Sequence, residues 1–202
     1  MSAIQNSSRR AVAALAIVLA VGTGAALAAC TAMGATTAAI QGANPTASPI
    51  TRLGQHLTAA DGFSPDGSSF SPFAETPAIG NLEAGLREAV RHAARDARSA
   101  GIEMVVNTGW RSERYQQKLL DDAVVTYGSE EEALRWVSSP RDSMHVTGRA
   151  VDIGPTDADS WLSQHGADYG LCQTLANEMW HFELATSPGG VCPQQRSDAA
   201  AG

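Results

Sequence analysis

The sequence predicts an α+β domain. Helical spacing of apolar residues and helix-capping residues predict four helices, and three short segments rich in β-branched or aromatic residues predict strands. The helices are grouped and the strands are few, without the regular alternation that is typical of a doubly wound parallel sheet. With 202 residues, 44% of them apolar, the chain is long enough for one domain with a sizeable core and additional segments.

The first half of the predicted domain contains a helix, a strand and a second helix. Asn81 is a candidate cap for a helix with Leu82, Leu86 and Val90 at helical spacing, and Gly101 is the predicted stop. Residues 102–107 are rich in β-branched side chains and predict a strand. Ser112 is then a candidate cap for a helix that ends near residue 126.

Four shorter elements complete the predicted domain. Ser129 and Glu132 have the spacing of a capping box, which predicts the start of a third helix. The remaining predicted elements are a strand over 149–153, a short helix over 157–164 and a last strand over 180–185.

The first thirty residues indicate export. Arg9 and Arg10 precede an uncharged apolar run over 11–26, which is the pattern of a secretory signal. Residues 27–30, Leu-Ala-Ala-Cys, resemble the lipobox of bacterial lipoproteins, in which the cysteine is acylated and becomes the first mature residue. Residues 26–28 also fit an ordinary A-x-A cleavage site, and the choice between Sec and twin-arginine export stays open.

Composition divides the chain into four parts. We predict a lipoprotein signal peptide over 1–29, a flexible tether over 30–51, a folded domain over 52–193 and a disordered tail over 194–202. Removing the signal takes away two Arg and no acid, which leaves 12 basic and 21 acidic residues and a formal net charge of −9. This charge argues against a nucleic-acid partner. It also argues against attachment to an anionic surface by charge, so membrane attachment requires the lipid on Cys30.

Once Cys30 is assigned to lipidation, the two remaining cysteines form an even pair. Cys172 and Cys192 are predicted to form a disulfide, since such bonds persist in exported proteins. Two metal-ligating thiolates are the alternative, but the wide spacing lacks the C-x-x-C form.

Two histidines lie in motifs that indicate metal chemistry. His145 and Asp152 are joined through Gly148, which lets the backbone turn between them, and His181 follows Glu178 by three positions. Two imidazoles and a carboxylate form the ligand set of a catalytic Zn²⁺ with an open position for water. Residues at i and i+3 face opposite sides of a regular strand, so we expect Glu178 on the loop that enters the last strand.

These motifs resemble a known family. The pattern S-x-H-x-x-G-x-A-x-D over 143–152, followed by E-x-W-H over 178–181, is similar to that of VanY-type zinc D-alanyl-D-alanine carboxypeptidases of the bacterial cell wall. The G-W-R-S element over 109–112 resembles the family's G-Y-R-S element, and Gln116 lies where its members often have Gln. The resemblance covers about residues 80–185 and implies a hedgehog/D-Ala-D-Ala peptidase-like fold, with helices packed on a small antiparallel sheet.

The resemblance also implies a role for each site residue. Glu178 acts as general base and then as acid, and Arg111 stabilises the oxyanion, while Ser143 and Gln116 bind substrate. The implied zinc ligands are His145, Asp152 and His181. The expected protein is an exported monomer, lipid-anchored and facing the cell wall or periplasm, that removes the C-terminal D-alanine from peptidoglycan stem peptides. Alternatives are an L,D-carboxypeptidase or endopeptidase on the same fold, or a catalytically silent wall-binding lipoprotein.

Overall fold

Residues 56–201 are described by the structure, which is a computed structural model. The predicted signal peptide, Cys30 and the tether over 30–51 lie outside the described residues. Within this range the helices are α1 (Pro77–Gly80), α2 (Ala84–Ser99), α3 (Glu113–Tyr127), α4 (Glu130–Leu134) and α5 (Thr156–His165). The strands are β1 (Val105–Thr108), β2 (Ala150–Gly154), β3 (Leu171–Gln173) and β4 (His181–Leu184).

The four strands form one antiparallel sheet in the order β1-β2-β4-β3. Every residue of β2 is buried, because this strand has a neighbour on each side and helices over it. The predicted α+β class, with helices packed on a small antiparallel sheet, is therefore confirmed.

The main core lies between the sheet and the helices α2 and α5. Leu86 and Val90 of α2 and Leu162 of α5 belong to the same buried cluster as Val151 of β2 and Phe182 of β4. A smaller cluster joins α3 to α4. None of the described helices has the length and hydropathy that a membrane span requires.

The local caps are where the sequence predicts them in two of three helices. Ser112 accepts a hydrogen bond from the Tyr115 amide at the start of α3, and Ser129 accepts one from the Glu132 amide at the start of α4. The proposed cap at Asn81 is wrong: this residue ends the short helix α1, and α2 begins at Ala84 after Glu83.

The structure differs from the sequence prediction at its last residues. Residues 194–201 were predicted to be disordered, but the Arg196 amide donates to the Thr174 carbonyl at 2.9 Å and the Arg196 carbonyl accepts from the Ala176 amide at 2.8 Å. The predicted disulfide is present, with the Cα atoms of Cys172 and Cys192 5.6 Å apart. These contacts hold residues 192–201, which we call the C-terminal segment, against the strand β3 and the turn after it.

Candidate metal centre and active site

Three buried side chains converge in the middle of the sheet. His145 lies in the turns before β2, Asp152 on β2 and His181 at the start of β4. One ligand atom from each of these side chains lies within 4.8 Å of the others. Strand register explains the convergence, because Asp152 and His181 are Cα partners across the β2–β4 pair. The three side chains that the sequence predicts as metal ligands therefore meet at one point.

Each imidazole has one nitrogen directed at the cluster and the other occupied by an acceptor. His145 Nδ1 lies 2.8 Å from the Gly109 carbonyl oxygen, and its Nε2 lies 3.3 Å from Asp152 Oδ1. His181 Nε2 lies 3.2 Å from Glu183 Oε1, and its Nδ1 lies 3.3 Å from the same Asp152 oxygen. An acceptor on the outer nitrogen fixes the tautomer and leaves the inner nitrogen's lone pair for a metal ion.

Glu183 is the carboxylate behind His181. Besides its contact with His181, Glu183 Oε1 accepts a hydrogen bond from Thr174 Oγ1 at 2.6 Å. Burial alone would raise the pKa of Glu183, but the hydrogen bonds from His181 and Thr174 outweigh it and lower the pKa. Residues i and i+2 of a strand share a face, which is the sequence signal that links Glu183 to His181.

Arg111 is bound to the metal-facing carboxylate. Its Nη2 donates to Asp152 Oδ2 at 2.7 Å and to Thr108 Oγ1 at 2.6 Å, and Thr108 Oγ1 in turn donates to the same Asp152 oxygen. Gln116 Oε1 accepts from Arg111 Nη1 at 3.2 Å, while Gln116 Nε2 donates to the Ser138 carbonyl at 2.8 Å. Gln116 therefore holds the Arg111 side chain in place, and Arg111 in turn holds Asp152. The sequence motifs do not reveal these contacts.

These contacts set the charge of Asp152. Burial would raise the pKa of its carboxyl group, but the charges and hydrogen bonds of His145 and His181, together with the Arg111 charge, hold the pKa well below its usual range. Asp152 is thus an anion in a buried site, as a metal ligand must be.

Glu178 faces the same centre from the turn that enters β4. The His181 amide donates to the Glu178 carbonyl at 3.2 Å, and this turn brings Glu178 Oε2 to 3.9 Å from His181 Nδ1. Glu178 and His181 are three positions apart, and they can share the site because Glu178 precedes the strand β4. Burial raises the pKa of Glu178, which favours the protonated form and suits a group that gains and loses a proton.

A cavity of about 440 Å³ opens over the cluster. Its walls include all seven predicted catalytic, substrate-binding and metal-binding residues, which are Arg111, Gln116, Ser143, His145, Asp152, Glu178 and His181. Sequence reasoning missed Arg196 and Ala199, which line the same cavity from the C-terminal segment.

Comparison with known proteins agrees with this fold and site. A family model described as D-alanyl-D-alanine carboxypeptidase (VanY) matches residues 80–192. A curated D-alanyl-D-alanine carboxypeptidase of Enterococcus faecalis (strain ATCC 700802 / V583) is 28% identical over 43% of this chain and 41% of that protein. The chain thus spans less than half the length of this curated relative.

Two solved structures are also similar. The LD-carboxypeptidase LdcB, described as revealing the molecular basis of peptidoglycan recognition, has a TM-score of 0.50 at 22% identity, with 60% of this chain and 65% of that chain covered. A mutant of the vancomycin resistance D,D-pentapeptidase VanY, in complex with Zn(II), has a TM-score of 0.49 at 22% identity, covering 54% of this chain and 73% of that chain.

The structure thus combines an α+β fold with a buried cluster of two imidazoles and a carboxylate that could hold one metal ion, and a second carboxylate beside it. Because the family model matches more than half of the sequence, the chain belongs to the VanY family of D-alanyl-D-alanine carboxypeptidases. The resemblance seen in the sequence motifs is confirmed.

Proposed function

We propose that this protein is a zinc peptidase that removes the C-terminal D-alanine from peptidoglycan stem peptides. The observation that carries the proposal is the buried cluster of His145, Asp152 and His181 with Glu178 beside it, in a chain of the VanY family. The family is described by this activity, and the cluster retains both the ligand set and a candidate base, which a silent binding protein does not need.

The donor set fits zinc. Two imidazole nitrogens and one carboxylate oxygen form a ligand set that catalytic Zn²⁺ takes in proteins, and Gly109 and Glu183 occupy the outer nitrogens of the two rings. When bound by three protein ligands, zinc lowers the pKa of a coordinated water towards 7 and polarises a carbonyl oxygen.

Glu178 is the residue that moves the proton. Its carboxylate accepts a proton from the attacking water and delivers it to the nitrogen of the departing D-alanine, a role worth about 10² to 10⁴ in rate. The raised pKa of Glu178 supports the second step, because the protonated form must persist long enough to protonate the amine. Arg111 holds Asp152 in place and adds positive charge opposite the developing oxyanion.

We further propose that the protein acts outside the cytoplasm, attached to the membrane through Cys30. The basic start, the apolar run over 11–26 and the lipobox-like residues 27–30 support export and lipid attachment. The Cys172–Cys192 disulfide supports the same compartment, because such bonds persist in oxidising surroundings. Its partner there is the stem peptide, and we expect a monomer.

The proposal is tested by incubating the full mature chain, loaded with zinc, with a stem pentapeptide and with the corresponding tetrapeptide. Mass spectrometry is expected to show loss of alanine from the pentapeptide, with Glu178→Gln reduced by about 10² to 10⁴ in rate. Cleavage of the tetrapeptide alone would assign L,D-specificity. Turnover of neither peptide, or full activity of Glu178→Gln, would overturn the proposed mechanism.

A further inference from the structure

The catalytic cavity contains a second arginine, whose guanidinium makes fewer and longer contacts with the protein than that of Arg111. Arg111 donates to Asp152, Thr108 and Gln116. The other cation of the cavity wall is Arg196, whose side chain is 40% exposed. Its Nη2 forms a long ion pair with Glu183 Oε1 at 3.8 Å, beyond hydrogen-bonding distance, and its Nη1 donates one long hydrogen bond of 3.4 Å to the Ala201 carbonyl.

The backbone of Arg196 is fixed although its side chain is open to the cavity. It joins Leu175 in a parallel bridge, with hydrogen bonds of 2.8 and 2.9 Å to the neighbouring residues. Further along the C-terminal segment, the Ala199 amide donates to the Arg135 carbonyl at 3.3 Å, and Asp198 pairs with the Arg135 side chain at 3.4 Å. The disulfide at Cys192 anchors the segment at its start.

Acidic side chains outnumber the arginines in the wall of this cavity. Asp142, Asp152, Glu178 and Glu183 all line it. A substrate carboxylate that lies away from the metal is repelled by Asp142 and Glu183 unless a further cation offsets their charge, and Arg111 is already paired with Asp152. A guanidinium can bind a carboxylate through two parallel N–H donors.

We propose that Arg196 binds a carboxylate of the peptide substrate and thereby contributes to substrate selection. This inference rests on the proposed function. Arg196 lies beyond residues 80–192, where the family model matches, so the cation is supplied by the C-terminal segment of this chain and not by the matched family domain. The carboxylate is either the terminal one or that of an acidic side chain, and both present the same chemistry to a guanidinium.

The test compares Arg196→Gln and Arg196→Lys with the wild-type full mature chain, using three forms of the stem peptide: the free acid, the C-terminal amide and the side-chain amide. For the free acid we expect Arg196→Gln to raise KM by about tenfold to a hundredfold with little change in kcat, and Arg196→Lys to restore part of the loss. Arg196→Gln and the wild type should have the same KM for the peptide in which the carboxylate that binds Arg196 is replaced by an amide. That peptide therefore identifies the carboxylate.

Arg98→Gln is the matched control, because it makes the same change of charge on α2, away from the catalytic cavity. An unchanged KM in Arg196→Gln, or an equal rise for all three peptides, would overturn the inference.

Calorimetric binding of the same peptides in a Glu178→Gln background separates this inference from the proposed function, since binding does not require turnover. Loss of carboxylate-dependent binding in Arg196→Gln would support the inference even if the wild type turned over no peptide. Equal binding of the free-acid peptide by the proteins with and without Arg196→Gln would overturn it even if the enzyme were active.

Discussion

His181 depends on a neighbour on its own strand. Its outer nitrogen contacts Glu183, which receives a second hydrogen bond from Thr174, so ring and carboxylate are both fixed before any metal binds. An anionic acceptor also makes the imidazole a better ligand. Glu183 is therefore a positioning residue for the metal centre.

We expect Glu183→Gln to weaken zinc binding by about tenfold to a hundredfold, because a neutral amide replaces the anionic acceptor. Competition with a chromophoric chelator measures the zinc Kd directly and needs no activity. Glu130→Gln, which changes an exposed glutamate in the first turn of α4, is the control and is expected to bind zinc as the wild type does. Unchanged affinity in Glu183→Gln would show that Glu183 does not act through His181.

Asp159 on α5 is a buried acid that the proposed chemistry does not use. Burial, and then the negative charge of Asp152, raise its pKa from 3.8 to about 6, and its Oδ1 has no hydrogen-bond partner among the described residues. Below pH 3.8 the carboxyl is protonated in both the folded and the unfolded state. Stability is lost as the pH rises towards 6 and the folded state must bury an anion.

Asp159→Asn should accordingly raise the free energy of unfolding by about 1 to 3 kcal/mol at pH 7.5 and by much less below pH 4. Urea unfolding at the two pH values measures the difference. Asp157→Asn, at an exposed position in the same helix turn, is expected to bring no comparable gain. A gain of equal size at both pH values would contradict the proposed burial of an anion.

At the scale of single residues, the sequence predicted which side chains meet in the cluster better than it predicted the contacts that hold them. His145, Asp152, Glu178 and His181 belong to two compact motifs whose residue types indicate metal chemistry without a structure. The contacts of Arg111 with Asp152 and of Gln116 with the Ser138 carbonyl join distant parts of the chain, and local spacing carries no signal for them.

The turn between His145 and β2 is closely packed against the start of α2. Gly148 has a φ of 74°, and a Cβ atom there would lie 2.5 Å from the Asn81 carbonyl oxygen. The Gly148 carbonyl also accepts from the Glu83 amide at 2.9 Å, so the turn is packed against the start of α2. A side chain at this position must displace backbone.

Gly148→Ala is therefore predicted to destabilise the fold more than Gly101→Ala. Gly101 has a similar φ of 81° but open space where the Cβ would be, so it isolates the backbone cost of about 1 kcal/mol. We expect Gly148→Ala to exceed that cost by at least about 1 to 2 kcal/mol, as measured by urea unfolding of both variants. Equal losses would mean that the close contact at Asn81 relaxes freely.

Elements with local signals were predicted well, and those made by distant pairing were not. The helix α3 begins after Ser112 and ends before Gly128 because both caps are in the sequence. The strand β3 has three residues and exists because it pairs with β4, and no such information is present in its own residues. The ordered C-terminal segment has the same origin, since its partners are Thr174, Ala176 and Arg135.

In the whole molecule, the disulfide joins β3 to the C-terminal segment across 20 residues. Removing it with Cys172→Ala and Cys192→Ala together is expected to lower the free energy of unfolding by about 3 kcal/mol, because the unfolded chain gains freedom. Urea unfolding under oxidising conditions measures this loss. Reduction should destabilise the wild type and leave the double variant unchanged; an effect of reductant on the double variant would contradict this origin.

Asp152 and His181 are Cα partners across β2 and β4. Their distance is therefore set by the pairing of the two strands and not by the length of the chain that connects them. Residues added to an exposed turn of this connection leave the register of the two strands unchanged. One residue added inside either strand would turn its ligand to the opposite face of the sheet. We therefore expect insertions and deletions to accumulate in the connection between these strands, while the spacing within each strand stays constant.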